Sequence, residues 1–263
     1  MIARTFAALY PAMAEETDAE LPFMNILDFE AFGIGARQTI SAELVAYTPY
    51  IKNEAMRTEW NDFTERSSDW IVRGHSFYPN FEERVANLEP IYSDIYRLTT
   101  EGDRVREISI GPFSPAWQMS PPPTDTEIVN FNYGSNTVFS KLLTYTTESY
   151  EGILSEPVDM KAIFGTSVPT SDGPLSLYLE PVFDSFNPLS AAIKGHIVAA
   201  IPWVAFFSNV SVCSVLLWVL LYFKEISVLM NMDYFSRFAA PSRGRHGNSC
   251  CCPELLSIPH IRD

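Results

Sequence analysis

The first 196 residues of this 263-residue chain contain no cysteine; the four present are Cys213, Cys250, Cys251 and Cys252. That excludes a disulfide framework and a paired-cysteine zinc site from most of the chain. Basic residues are scarce as well. Residues 1–196 hold 13 Lys and Arg against 28 Asp and Glu, a net charge of −15, whereas residues 197–263 stand at +1. So acidic a surface repels phosphate backbones, which excludes nucleic acid as a partner. Repeats and low-complexity tracts are missing, and so are the G-x-S-x-G and HExxH motifs of hydrolases. His75, His196, His246 and His260 are scattered without ligand spacing. "FGIGAR" offers Gly33 and Gly35 but no third glycine and no strong strand before it, so it reads as a turn or helix entry, not a phosphate loop. Asp28 and Glu30 are alternate acids of the kind that recur by chance in an acidic chain. No catalytic residue, metal set or cofactor is expected.

What is present is apolar: 47% hydrophobic residues and 13% aromatic, enough to build one large core or two small ones and too much for a disordered chain. Residues 42–51, "AELVAYTPYI", alternate as a strand does. After them Met56, Trp60, Phe63, Trp70 and Ile71 fall on one helical face, with Asn53 placed to cap its start. "ISIGPFSPAWQMSPPP", residues 108–123, predicts a short strand running into a proline-rich loop. Residues 137–150 predict a second helix, and "TSDGP", residues 170–174, a turn. "LSLYLEPVFDSF" and "AAIKGHIVAAIPW", linked by "NPLS", predict an antiparallel pair. Strands and helices in this order predict an α+β fold. The opening "MIARTFAALYPAMAEE" carries the Ala-x-Ala of a cleavage site, but its apolar patch is short and holds Pro11. The plainer expectation is a fragment that starts inside a domain.

Residues 197–223 run without a formal charge. The β-branched, alanine-rich start and Pro202 predict a last strand, dividing near Trp203 from residues 204–223. Those 20 residues match a bilayer core as a helix of about 30 Å, with Trp203 and Tyr222 near its ends; a helix buried in the domain is the rival reading. Arg237, Arg243 and Arg245 behind the run favour the cytoplasmic side for a short tail, residues 224–263, and put the acidic part outside or in a lumen. There Cys250, Cys251 and Cys252 are acylation candidates beside a small basic cluster, or else reduced thiols of a disordered tail. Asn209-Val210-Ser211 is the only glycosylation sequon, and it lies close to the membrane end of that run.

Several segments in order, "LPFMNILDFEAFGIGARQTIS", "VAYTPYI", "RTEWNDFTERSSDWI", "SPAWQMSPPP", "LSEP", "LEPVFDSF" and "GHIVAAIPWVAFFSNV", resemble the extracellular sensor region of diatom receptor-type adenylate/guanylate cyclases. The resemblance covers roughly residues 21–210. It implies a PAS-like sensor of the CHASE or Cache type, an antiparallel sheet flanked by helices that holds a small ligand, followed by a transmembrane helix. The family's preceding span and long helix are absent from this reading, and so is the cyclase domain, so the chain is taken as a truncated or divergent, non-catalytic member. By residue type and family position, Arg37 would meet an anionic group, Trp117 and Tyr178 would form walls, and Asp184 would meet a cationic or hydroxyl group. The resulting expectation is an N-terminal segment (residues 1–20), a sensor-like ectodomain (21–203), a span and a tail. Its partners would be membrane lipid, an unidentified small-molecule ligand and a second copy in a homodimer. A soluble or secreted hydrolase, or a membrane-tethered interaction protein without a pocket, are the alternatives.

Overall fold

The computed structural model describes residues 2–159, 173–186 and 191–204. The chain opens with helix α1 (Ile2–Thr17), followed by α2 (Phe29–Ile40), strand β1 (Leu44–Pro49), and helices α3 (Glu54–Arg66), α4 (Asp69–His75) and α5 (Phe81–Ala86). Strands β2 (Tyr96–Leu98), β3 (Arg104–Arg106) and β4 (Met119–Ser120) come next, then helix α6 (Thr137–Ser149) and strands β5 (Ile153–Leu154), β6 (Leu175–Phe183) and β7 (Ile193–Pro202). Five strands form one antiparallel sheet in the order β4-β1-β7-β6-β5, and β2 and β3 pair by themselves. The architecture is α+β with an antiparallel sheet and helices, as the sequence predicts.

β7 is the central strand, bonded to β1 from Leu44↔Ala200 to Pro49↔Gly195 and to β6 from Leu175↔Pro202 to Phe183↔Ile193. Being covered on both faces, it reads as a continuous apolar run instead of an alternating one. Pro181 sits inside β6 without breaking it, because among the described residues β5 pairs only with Tyr178 and Leu179 and no ladder on that edge reaches Pro181. One sheet face carries α1: the Tyr10 ring stacks on Tyr47 at 3.9 Å, and the Tyr10 hydroxyl donates to Gln118 Oε1 at 3.1 Å. The opposite face carries α6, tied to β7 by Thr146 Oγ1 and His196 Nε2, 2.9 Å apart.

α1 is a helix the sequence reading missed. Its buried Ala3, Phe6, Ala7 and Tyr10 have helical spacing, and Pro11 inside it obscured the signal. The single helix expected through residues 53–71 is two. Asn53 does cap the first, accepting from Met56 N at 3.1 Å, but α3 stops at Ser67, whose carbonyl accepts from Asn25 Nδ2 at 2.6 Å. α4 then turns Trp70 edge-on to Trp117 at 5.7 Å. The strand expected at residues 108–110 is also displaced. Glu107 Oε1 accepts from Ile108 N and Ser109 N at 2.9 and 3.1 Å, taking amides a ladder would need, and β3 lies just before it.

Among the described residues no helix is long and apolar enough to cross a membrane. The expected span, of which only Val204 is described, lies outside them, as do the "NPLS" link, most of "TSDGP", the sequon, the basic cluster and Cys250, Cys251 and Cys252.

Candidate functional site

Glu180 is the one acidic side chain of β6 and is 3% exposed. A carboxylate so placed needs partners, and among the described residues it has two. Arg4 Nε of α1 donates to Oε1 at 2.9 Å, and the Tyr178 hydroxyl, two residues away on the same face, donates to Oε2. Burial pushes the Tyr178 phenol up to about 12, and the bond to Glu180 and its charge add to that rise. Gly152 leaves room for the pair, since a Cβ there would overlap both Glu180 Oε2 and the Tyr178 hydroxyl. Above this floor runs a groove of about 340 Å³ between α1 and β6, bounded by Ala7, Ala8 and Pro11 on one side and Phe183, Phe186 and Tyr150 on the other. The Tyr150 and Phe183 rings are parallel within 8°, centroids 6.1 Å apart. Tyr150 ends α6 in the left-handed region at φ 60°, which bulky side chains avoid.

The four residues assigned to a pocket are not brought together there. Only Tyr178 reaches the groove's carboxylate. Asp184 adjoins groove-lining Phe183 in sequence, but its Oδ1 accepts from Ala192 N at 2.9 Å and closes the β6–β7 connection. Trp117 is fully buried, donates from Nε1 to Asn25 Oδ1 at 2.6 Å and meets Trp60 edge-on at 5.1 Å, as a core anchor does. Arg37, on α2, is held from inside: Nε donates to Ser120 Oγ at 2.9 Å, and Nη2 to Glu30 Oε1 and the Tyr78 hydroxyl at 3.1 and 2.8 Å. Tyr78 also donates to Glu30. Burial raises the Glu30 carboxyl, and Tyr78, Ser120 and Arg37 pull it part of the way back. Here α2 and β4 approach so closely that a Cβ on Gly33 would overlap Ser120, so "FGIGAR" is helix, and its first glycine serves contact instead of phosphate binding.

Other polar clusters fasten the fold. Arg57, nearly fully buried in α3, donates to Asp94 Oδ1 at 2.7 Å, to the Ile95 carbonyl at 3.0 Å and to the Glu107 carbonyl at 2.6 Å. The hydroxyl–imidazole pair of Thr146 and His196 is fully buried, out of reach of a substrate. Among the described residues no group of three His, Cys, Asp or Glu side chains could hold a metal ion.

Sequence reasoning overlooked Arg4, Glu180, Tyr150 and Phe186. One signal was legible: a single acid in the apolar run "LYLEPVF" must find a partner once the strand is buried. No protein-family model and no curated protein matches the chain.

Proposed function

We propose that the chain is the ligand-receiving, non-catalytic part of a membrane-attached sensor, of the kind its sequence resembles in receptor-type nucleotide cyclases. The ligand site is the groove between α1 and β6. The observation that carries this reading is a cavity of about 340 Å³ with a buried carboxylate in its floor and apolar walls, built over an antiparallel sheet. That combination suits a small molecule oriented by one polar contact. Among the described residues each buried carboxylate beside a phenol is also bound by an arginine, Glu180 by Arg4 and Glu30 by Arg37, which favours recognition or bracing over proton transfer. In the same reading residues 204–223 attach the chain to the bilayer, with the acidic part outside and Cys250, Cys251 and Cys252 acylated on the other side. Binding and signalling then take place in a homodimer.

The test is a thermal-shift screen of the full chain in detergent against a library of soluble metabolites, with Ala8→Trp as the groove-filled control. The expected result is a ligand that raises the wild-type midpoint and leaves that of Ala8→Trp unchanged. A library without such a ligand overturns the reading. A membrane-tethered interaction protein is the second reading, favoured by Ile108 and Ile110, which stand 79% and 88% exposed on one loop. Cross-linking lost on Ile108→Ser/Ile110→Ser would support it.

A further inference from the structure

The ion pair in the groove is lopsided. The Glu180 side chain is 4% exposed, whereas that of Arg4 is 75% exposed and reaches inward only through its head group. An exposed arginine gives up such a contact readily, but a buried carboxylate left without a cation is strongly disfavoured. Whatever displaces Arg4 must therefore bring positive charge and N–H donors of its own. The surroundings select for the same chemistry. Glu151 reinforces the negative field felt by Arg4. The parallel Tyr150 and Phe183 rings and the 60% exposed Phe186 offer aromatic faces and edges to a cation and its apolar stem.

We propose that the groove binds a small organic cation, an alkylguanidinium or alkylamine, whose head replaces Arg4 on Glu180 and whose stem lies against Tyr150, Phe183 and Phe186. This rests on the reading of the chain as a ligand-binding domain. Arg4 is then a built-in competitor: its guanidinium occupies the ligand's place, and ligand entry frees the start of α1 from β6. Anions are excluded by the carboxylates. Neutral molecules cannot compensate the charge that Arg4 leaves behind.

The experiment uses the full chain in detergent micelles with labelled alanine methyls, following Ala7 and Ala8 in the groove wall. Four probes with short alkyl chains are titrated: butylguanidinium, butylammonium, the neutral butylurea and butyrate. The two cations are expected to shift both methyls, and butylurea and butyrate to leave them unmoved. Arg4→Ala should bind the cations at least several-fold more tightly, because the competitor is gone. Glu180→Gln, which keeps its shape and its bond to Tyr178, should bind them at least tenfold more weakly. Shifts from butylurea or butyrate without shifts from the cations overturn the cation assignment and leave the groove a ligand site. Silence of all four probes in both wild type and Arg4→Ala, or unchanged affinity in Glu180→Gln, also overturns it. The metabolite screen against Ala8→Trp decides the sensor reading separately.

Discussion

His196 stands on the central strand with its ring fully buried, and burial lowers its imidazole from the ordinary value near 6.5 to about 3. Among the described residues its Nδ1 has no hydrogen-bond partner, nor has the hydroxyl of Thr48, its neighbour across the β1–β7 ladder. His75 is lowered as well, chiefly by burial, while its Nε2 bonds the Pro123 carbonyl and its Nδ1 accepts from Arg84. The sign follows from proton counting. Below about pH 6.5 the unfolded chain takes up protons that the folded chain refuses, so stability is full above that pH and falls as pH drops. Each histidine contributes a slope of up to about 1.4 kcal/mol per pH unit. Glu30 acts with the opposite sign: its raised carboxyl takes up a proton first in the folded state, which offsets part of the loss at the acid end. Urea midpoints of the full chain are expected to fall from pH 7 to pH 5, and His196→Leu to show a smaller fall. Equal midpoints at pH 7 and pH 5 in the wild type would reject the assignment. None of this was legible beforehand, since the spacing of a lone histidine says nothing of burial. The aromatic stripe was legible. Trp60 lies in the core as its helical period predicts, with Nε1 donating to Asn130 Oδ1 at 3.0 Å.

At the scale of elements, local chemistry sets the ends more reliably than the periodic pattern does. Asn53 and Asn136 each sit just ahead of a helix in extended backbone and accept from its first amides, Asn53 from Met56 N and Asn136 from Val138 N at 2.9 Å. Replacing an asparagine cap by alanine costs about 1 kcal/mol. The caps start different helices, so Asn53→Ala and Asn136→Ala should lower stability by about that amount each and add in the double variant. Chemical denaturation of the two singles and the double tests this; a double variant no worse than either single would contradict it. The same logic explains the helix that the sequence ran together. "RSSDW" carries a stop and a restart, Ser68 preceding the acidic first turn of α4, but the apolar period bridges the break because Trp60 and Trp70 both pack on Trp117. The displaced strand near Ile108 has a similar origin. β-branched residues suggested a ladder, while the neighbouring Glu107 carboxylate captured the amides. Such capture depends on a side-chain orientation that no periodicity records. The groove was illegible for a related reason: Arg4 and Glu180 are 176 residues apart and meet only once α1 lies on β6.

For the whole molecule the decisive element is β7, since it joins the two halves of the chain. β7 lies between β1, from the first third of the sequence, and β6, from the last, so the sheet cannot close before residue 202 is made. The strand ends as its sequence predicts. Past Pro202, Trp203 N donates to the Pro174 carbonyl at 3.1 Å and Trp203 Nε1 to Ser176 Oγ at 2.9 Å, which pins the chain where the proposed span begins. Residues 204–223 are the proposed span, and truncation tests whether the fold needs them. Their 12 Leu, Val and Phe residues favour insertion by roughly 4–7 kcal/mol in total, before Asn209 and the three serines subtract part of it. Two truncations separate folding from anchoring. A chain ending after Asn209 should fold, keep the Trp60 environment in near-ultraviolet circular dichroism, and leave the membrane fraction. A chain ending after Ser190 lacks β7 and should not fold at all, because β1 and β6 lose their shared partner. The full chain should resist carbonate extraction. Recovery of the full chain entirely in the soluble fraction would remove the span, and a folded product ending at Ser190 would remove the central role given to β7.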